Sequence, residues 1–244
     1  EVFEAKWQGD MLEVVARCRD FDNHNGHLAL KVMQELLDSS KQIRCTFIGT
    51  VPDDVFAREP GLLQGIEYLP NLSGADALCR LQEAHILFYP AKSDNTGVEL
   101  VDAMSSGQAV VTASGGEMEC TNELFGGGGA LVLNRELESA CEEEANLLQM
   151  LRRLVDEPAL AKDMATHNWD AARSGPFSLQ QQQARLVELY ERAATSTATP
   201  LSQSDILHSA GAAVSVWSSA DVAGDLRLLR AQIESRPAHR CVVA

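Results

Sequence analysis

Aromatic residues are scarce: Phe, Trp and Tyr together make up 5% of the 244 residues. Any core must therefore rest on Leu, Val, Ile, Ala and Met, and a 45% hydrophobic content is enough to build one. Basic residues are also few. Lys and Arg number 20 against 35 Asp and Glu, a formal net charge of −15. That balance argues against a sequence-blind grip on nucleic acid, which needs clustered Lys and Arg to displace counterions. It argues equally against an anionic membrane surface as the main partner. The longest apolar runs, 85–90 and 109–113, are strand-length. None approaches the roughly 18 residues that cross a bilayer. No charged-then-apolar leader opens the chain. Residue 1 is Glu1 rather than Met, so the chain is expected to be a processed form or a piece of a longer one. The six cysteines are dispersed and form no Cys-x-x-Cys pair. In a chain of this length they read as buried thiols in a reducing compartment, hence a cytoplasmic protein. The sequon at Asn71 is then accidental.

What is present alternates. Short apolar or β-branched runs at 12–17, 43–49, 66–69, 85–89, 109–113 and 130–133 read as strands. Helical spacing fills 27–40, 74–84 and 97–106, with shorter helices within 52–64 and 119–124. Three more helices follow at 136–156, 158–173 and 178–194. Strands alternating with helices predict an α/β fold: a doubly wound, parallel, six-stranded Rossmann-like sheet followed by C-terminal helices. The acidic run 142–144 reads as a solvated helix face. One domain is expected over 1–194, then an Ala/Ser/Thr-rich linker over 195–220 and a tail over 221–244. The tail carries one amphipathic helix with Val222, Leu226, Leu229 and Ile233 on one stripe.

In an open parallel sheet, ligands bind beyond the carboxyl ends of the strands where the strand order reverses. In the usual six-strand order that point lies between the first and fourth strands. The loops after those strands, 17–26 and 90–97, are the two most polar strand-to-helix loops in the chain. The second opens a helix, so the N–H groups of Thr96, Gly97 and Val98 form an anion cradle backed by the helix dipole. Asp102 lies on the same helix face as Val98, placed for a neutral hydroxyl next to a diphosphate. Asp94 faces the other end of such a ligand. Other readings stay open. Asp20-Phe21-Asp22 has the form of a metal-binding Asp-x-Asp, and His24 with His27 the spacing of a metal pair. The 126–129 glycine run lacks the context of a phosphate loop and reads as a turn. No Ser-His-Asp or Gly-x-Ser-x-Gly pattern is found.

The stretch from Tyr89 through Asp94, Gly97, Asp102-Ala103-Met104 and Gly107 to Val111 resembles the nucleotide-sugar segment of retaining GT-B glycosyltransferases. These are the group 1 enzymes, of the sucrose-synthase and bacterial mannosyltransferase type. Their pattern is Pro-Ser-x-x-Glu-Gly-Phe-Gly, four residues, then Glu-Ala-Met-Ala-x-Gly-x-Pro-Val. Gly115-Gly116-Glu117-Met118-Glu119, Val15-Ala16-Arg17 and Phe177-Ser178 resemble further motifs of that family, and the likeness spans roughly 12–194, one C-terminal half. The resemblance implies hexosyl transfer from a nucleoside diphosphate sugar, with retention, without metal or other cofactor. It implies that Arg17 neutralises the leaving diphosphate, Asp94 contacts the donor sugar and Asp102 binds ribose hydroxyls. Asn95, Thr96, Gly97 and Val98 would line the donor site. The chain departs from the pattern in three ways. Both family glutamates are Asp here. The family's Lys-Gly appears as Asn25-Gly26, leaving Arg19 and Lys92 as candidate replacement cations. An acceptor-binding half is absent and would come from another domain or chain. The alternative reading is a non-catalytic nucleotide-sugar- or protein-binding module. An epimerase or phosphorylase on the same architecture is a third.

Overall fold

The computed structural model describes residues 2–9, 11–40, 42–92, 97–114, 128–137, 139–175 and 178–195. These form two units, 1–177 and 178–244. In the first, strands β1 (Leu12–Cys18), β2 (Ile43–Gly49), β3 (Glu67–Leu69), β4 (Ile86–Tyr89), β5 (Ala109–Ser114) and β6 (Ala130–Asn134) form one sheet in the order β3-β2-β1-β4-β5-β6. Every pairing is parallel. The order reverses between β1 and β4, which are hydrogen-bonded neighbours through Val14↔Ile86 and Val15↔Leu87. The helices are α1 (Val2–Lys6), α2 (Gly26–Ser39), α3 (Asp53–Arg58), α4 (Gly74–Glu83), α5 (Val98–Ser105), α6 (Ala140–Asp156) and α7 (Pro158–Arg173). The second unit contributes α8 (Leu179–Thr195). No helix among the described residues is long and apolar enough to cross a membrane.

Alternation along the strands splits the core into two layers. Val14 and Ala16 pack with Phe47, Phe88 and Val111 on one face, where Leu30 and Leu36 of α2 and Leu147, Leu151 and Leu154 of α6 cover them. Val15, Leu87 and Tyr89 face the other way, against Ala77 and Leu81 of α4 and Leu100, Ala103 and Met104 of α5. Because both faces are buried, the strands are nearly continuous apolar runs, which is why they could be read from the sequence.

Three expectations need correction. The helix expected from 136 begins at Ala140, because Arg135–Leu137 forms a 3-10 turn and Ser139 caps the helix with Glu142. The Glu142 carboxylate accepts from the Ser139 N–H at 2.9 Å and lies below the usual carboxylate range, chiefly because of the Ser139 hydroxyl. The acidic run is not uniformly solvated, since Glu143 is ion-paired with Arg135 at 2.7 Å and largely covered. Of the described thiols, Cys18 and Cys45 are buried but Cys79 is exposed, because it lies on the outer side of α4. The expected helix at 119–124, the linker and the tail lie outside the described residues.

The amino end of the sheet is sealed by polar contacts. Lys6, at the end of α1, donates from Nζ to Ala84 O at 2.9 Å and Ser106 O at 2.8 Å. Those carbonyls are the C-caps of α4 and α5, so one cation sits on the negative ends of two helices. Burial nevertheless pushes the Lys6 ammonium down to about 7. His85 Nδ1 accepts from the Glu13 N–H at 3.0 Å, leaving Nε2–H to donate to Lys6 O at 2.6 Å. The buried Glu13 carboxylate accepts from Thr46 Oγ1 at 2.8 Å and Arg80 at 2.9 Å, and Arg80 also reaches Glu67 at 2.6 Å.

Candidate functional site

The loops after β1 and β4 meet at the carboxyl end of the sheet, where the Lys92 N–H donates to Asn23 O at 2.8 Å. The first loop is a closed turn. Asp20 accepts from the Asn23 backbone at 3.0 Å and from its Nδ2 at 2.8 Å. The backbone bond is the larger cause holding that exposed carboxylate below its ordinary range. His24 is buried, its ring edge-on to Tyr89 with centroids 5.2 Å apart. Its Nδ1 accepts from the Arg19 N–H at 3.3 Å, so Nε2 carries the proton that faces Tyr89 Oη at 3.3 Å. His27 instead bonds Glu59 at 2.8 Å on the outer side of α2. The two histidines therefore do not converge, and Asp20 is committed to its turn. Among the described residues no group of three His, Cys, Asp or Glu side chains could hold a metal ion.

The second loop leads into α5 through Gly97, whose φ of 55° and ψ of 27° place it in the left-handed region that favours glycine. Two acids on this helix meet two arginines from the end of β1. Arg17 Nη1 lies 2.7 Å from Asp102 Oδ2, the side chains being 10% and 26% exposed. Arg19 Nε donates to Glu99 Oε1. The periodicities explain the double match. Residues two apart in extended chain share a side, and residues three apart on a helix share a face. Thus Arg17 and Arg19 meet Asp102 and Glu99 in order.

Glu99 is unlike an ordinary ion-pair partner. Its side chain is 0% exposed whereas that of Arg19 is 53% exposed. Its second oxygen, Oε2, is buried with no hydrogen-bond partner among the described residues, a state it shares with atoms such as Arg80 Nε and Gln108 Oε1. An orphaned buried acceptor costs about 1–3 kcal/mol. A pair with a half-solvated arginine returns about 0–1 kcal/mol. The pair is therefore a net burden on the fold.

The structure thus joins Arg17 and Asp102 directly and places Arg19 beside them. Lys92 is tied in by its backbone with its side chain exposed. Val98 opens α5, exposed at 39%. Asp94, Asn95 and Thr96 lie outside the described residues. Two neighbours of this junction were not foreseen. Glu99 shares the buried stripe of α5 with Leu100, Ala103 and Met104, and an acid on that stripe is the signal that would have marked it. Arg135 donates to Ala91 O at 2.6 Å and Pro90 O at 2.8 Å, bracing the β4 loop from behind while Glu143 holds it. No sequence spacing announces that contact.

No protein-family model and no curated protein sequence matches the chain. Solved structures do. The pneumococcal O-GlcNAc transferase GtfA, determined with UDP and GlcNAc, aligns with a TM-score of 0.62 at 13% identity, covering 77% of this chain and 37% of that one. WaaG, a glycosyltransferase involved in lipopolysaccharide biosynthesis, aligns at 0.59 and 15% identity over 75% of this chain and 50% of its own. The C-terminal domain of LpcC, a group 1 glycosyltransferase family protein from Francisella tularensis, aligns at 0.54 and 14% identity over 69% and 89%. The chain therefore spans half the length of WaaG and most of the isolated LpcC domain. At these identities the likeness is one of fold: the six-stranded Rossmann-like sheet of GT-B glycosyltransferases.

Proposed function

We propose that this chain is the donor-binding half of a glycosyltransferase that takes a hexosyl unit from a nucleoside diphosphate sugar, with retention and without a metal. The observation that carries the reading is the Arg17–Asp102 pair, which joins the end of β1 to α5 where the strand order reverses. In this reading Arg17 and the N-terminus of α5 stabilise charge on the departing diphosphate, a pre-set electrostatic contribution. Asp102 spends one oxygen on Arg17 and offers the other to a ribose hydroxyl. Asp94 contacts the sugar. The acceptor is held by a domain or chain outside this one. The UDP bound in GtfA supports the ligand class.

A second reading is a binding module without turnover. It is favoured by one observation: each arginine of the pair is already matched by an acid, so these four groups carry no net charge. Calorimetric titration with uridine, guanosine and adenosine diphosphates tests the site. Binding of one of them is expected, unchanged by a chelator and lost in Arg17→Ala. Binding that disappears on chelation, or an unaffected Arg17→Ala, overturns the assignment. Sugar transfer or donor hydrolysis, followed by NMR of the anomeric configuration, then separates enzyme from binder.

A further inference from the structure

We propose that the apolar stripe of α8 is the dock for this chain's own segment 221–235. Leu179, Leu186, Leu189 and Tyr190 of α8 are exposed, the first at 74%, and none joins either layer of the core. At about 100° per residue, Leu179, Leu186 and Tyr190 fall within about 40° of one another around the helix axis, with Leu189 beside them. Single apolar residues on a surface are ordinary, whereas a stripe of them along one helix marks a contact face. A helix of 17 residues takes most of its stability from packing such a face rather than from propensity.

The sequence supplies an occupant of matching form. Segment 221–235 lies outside the described residues and belongs to the same unit as α8. Read as a helix, it carries Val222, Leu226, Leu229 and Ile233 on one stripe. Laid antiparallel on α8, Val222 meets Tyr190, Leu226 meets Leu186 and Ile233 meets Leu179, so three apolar layers fall at equal heights. Two arginines and two glutamates balance on α8, so the contact meets no net repulsion. Gly224 and the short length make the segment marginal as a free helix, and an apolar face is what would order it. The connection decides among occupants. Residues 196–220 link the two stretches, and a coil of 25 residues has a reach of about 25–30 Å. An antiparallel return needs only the roughly 10 Å between packed helix axes. Such a tether keeps the segment at a local concentration in the millimolar range. A second copy at ordinary protein concentrations competes poorly with that.

Hydrogen exchange of the full chain, read by mass spectrometry, tests the dock. In the wild type, amides of α8 and of 221–235 are both expected to exchange about tenfold or more slowly than unstructured chain. Leu226→Asp combined with Leu229→Asp should speed exchange in α8 about tenfold, while β1, β4 and β5 stay as protected as before. Leu186→Asp combined with Tyr190→Asp should do the same to 221–235, so each stretch is read through changes made in the other. Leu226→Met keeps the apolar volume and should leave both stretches as in the wild type. The proposal fails if 221–235 exchanges as unstructured chain in the wild type. It fails equally if α8 exchanges alike with and without the two substitutions at 226 and 229, since its stripe is then covered by something else or by nothing. It also fails if the protection of either stretch rises with protein concentration alongside a dimeric mass in light scattering, since the occupant is then a second copy.

Discussion

The two ends of the sheet solve the problem of buried charge in opposite ways. At the amino end, Glu13 accepts from a hydroxyl and a guanidinium, His85 uses both ring nitrogens, and Lys6 closes two helix termini. At the carboxyl end, two arginines are held in orientation by acids, one of which keeps an unpartnered oxygen. The first arrangement ties strands to helix ends, with Arg80 Nε, Ser106 Oγ and Gln108 Oε1 buried there without a hydrogen-bond partner among the described residues. The second leaves Glu99 Oε2 without a hydrogen-bond partner among the described residues. Strength of ion pairing does not separate the two ends. The involvement of the main chain does: Lys6 and His85 bond backbone atoms at the amino end, whereas both arginine–acid pairs at the carboxyl end join side chains.

The largest expected effect comes from joining the two behaviours. Gly49, at the carboxyl end of β2, has a φ of 142°, and a Cβ there would lie 2.0 Å from Cys18 O. Gly49→Ala must push the end of β1, so a loss of stability of about 4 kcal/mol or more is expected in denaturant unfolding. Nucleoside diphosphate binding should fall with it, since Arg17 and Arg19 ride on that strand end. A stable variant with intact binding would show that the strand end tolerates displacement.

Next is a pH effect confined to the amino end. Lys6 ordinarily titrates near 10.5 but in the fold near 7. Between those values the unfolded chain holds a proton that the folded chain lacks. Stability from this group therefore rises with pH from about 7 to 10.5 and is lost as pH falls through that window. At about 1.4 kcal/mol per unit, the stability difference between wild type and Lys6→Met should change by on the order of 4 kcal/mol, in favour of the wild type at high pH. A difference independent of pH would mean that the ammonium stays solvated. Arg80→Ala comes third. It strips the main cation from Glu13, and an unpaired buried carboxylate should lower stability by about 3 kcal/mol while leaving nucleoside diphosphate affinity unchanged.

The smallest effect on stability belongs to the carboxyl end. Asp102→Ala is expected to lower stability by about 1–2 kcal/mol, since Arg17, only 10% exposed, loses its charged partner. It should weaken nucleoside diphosphate binding by about 1.5–3 kcal/mol, as for hydrogen bonds to a charged group. If affinity holds and only stability falls, the Arg17–Asp102 pair belongs with the structural network rather than with the site.

The strands were legible because parallel, doubly covered strands leave uninterrupted apolar runs. The expected 109–113 is observed as Ala109–Ser114 and 43–49 as Ile43–Gly49. The reversal between β1 and β4 followed from that order, and with it the meeting of the loops after those strands; the pairing of Arg17 with Asp102 did not. What escaped depends on contacts far apart in sequence. Helix α1 has five residues, too few for a periodicity, and is anchored by Lys6 reaching carbonyls 78 and 100 positions away. The expected ribose contact of Asp102 was framed as a free carboxylate, whereas packing gives it an arginine as well. Glu99 meets Arg19 across 80 positions, and local spacing records nothing of that pairing.

The matched steps of strand and helix make the two ion pairs a gauge of register. Inserting one residue between Gly97 and Glu99 turns both acids by about 100° around the helix axis and takes both partners from the arginines at once. Deleting Cys18 sends the Arg19 guanidinium to the opposite face of the strand. The segment from β1 through α5 therefore behaves as a single module for recombination. Exchanging 12–105 whole between proteins of this fold preserves the pairing, whereas a crossover placed between β1 and α5 splits both pairs unless the donor shares the same arginine and acid spacing.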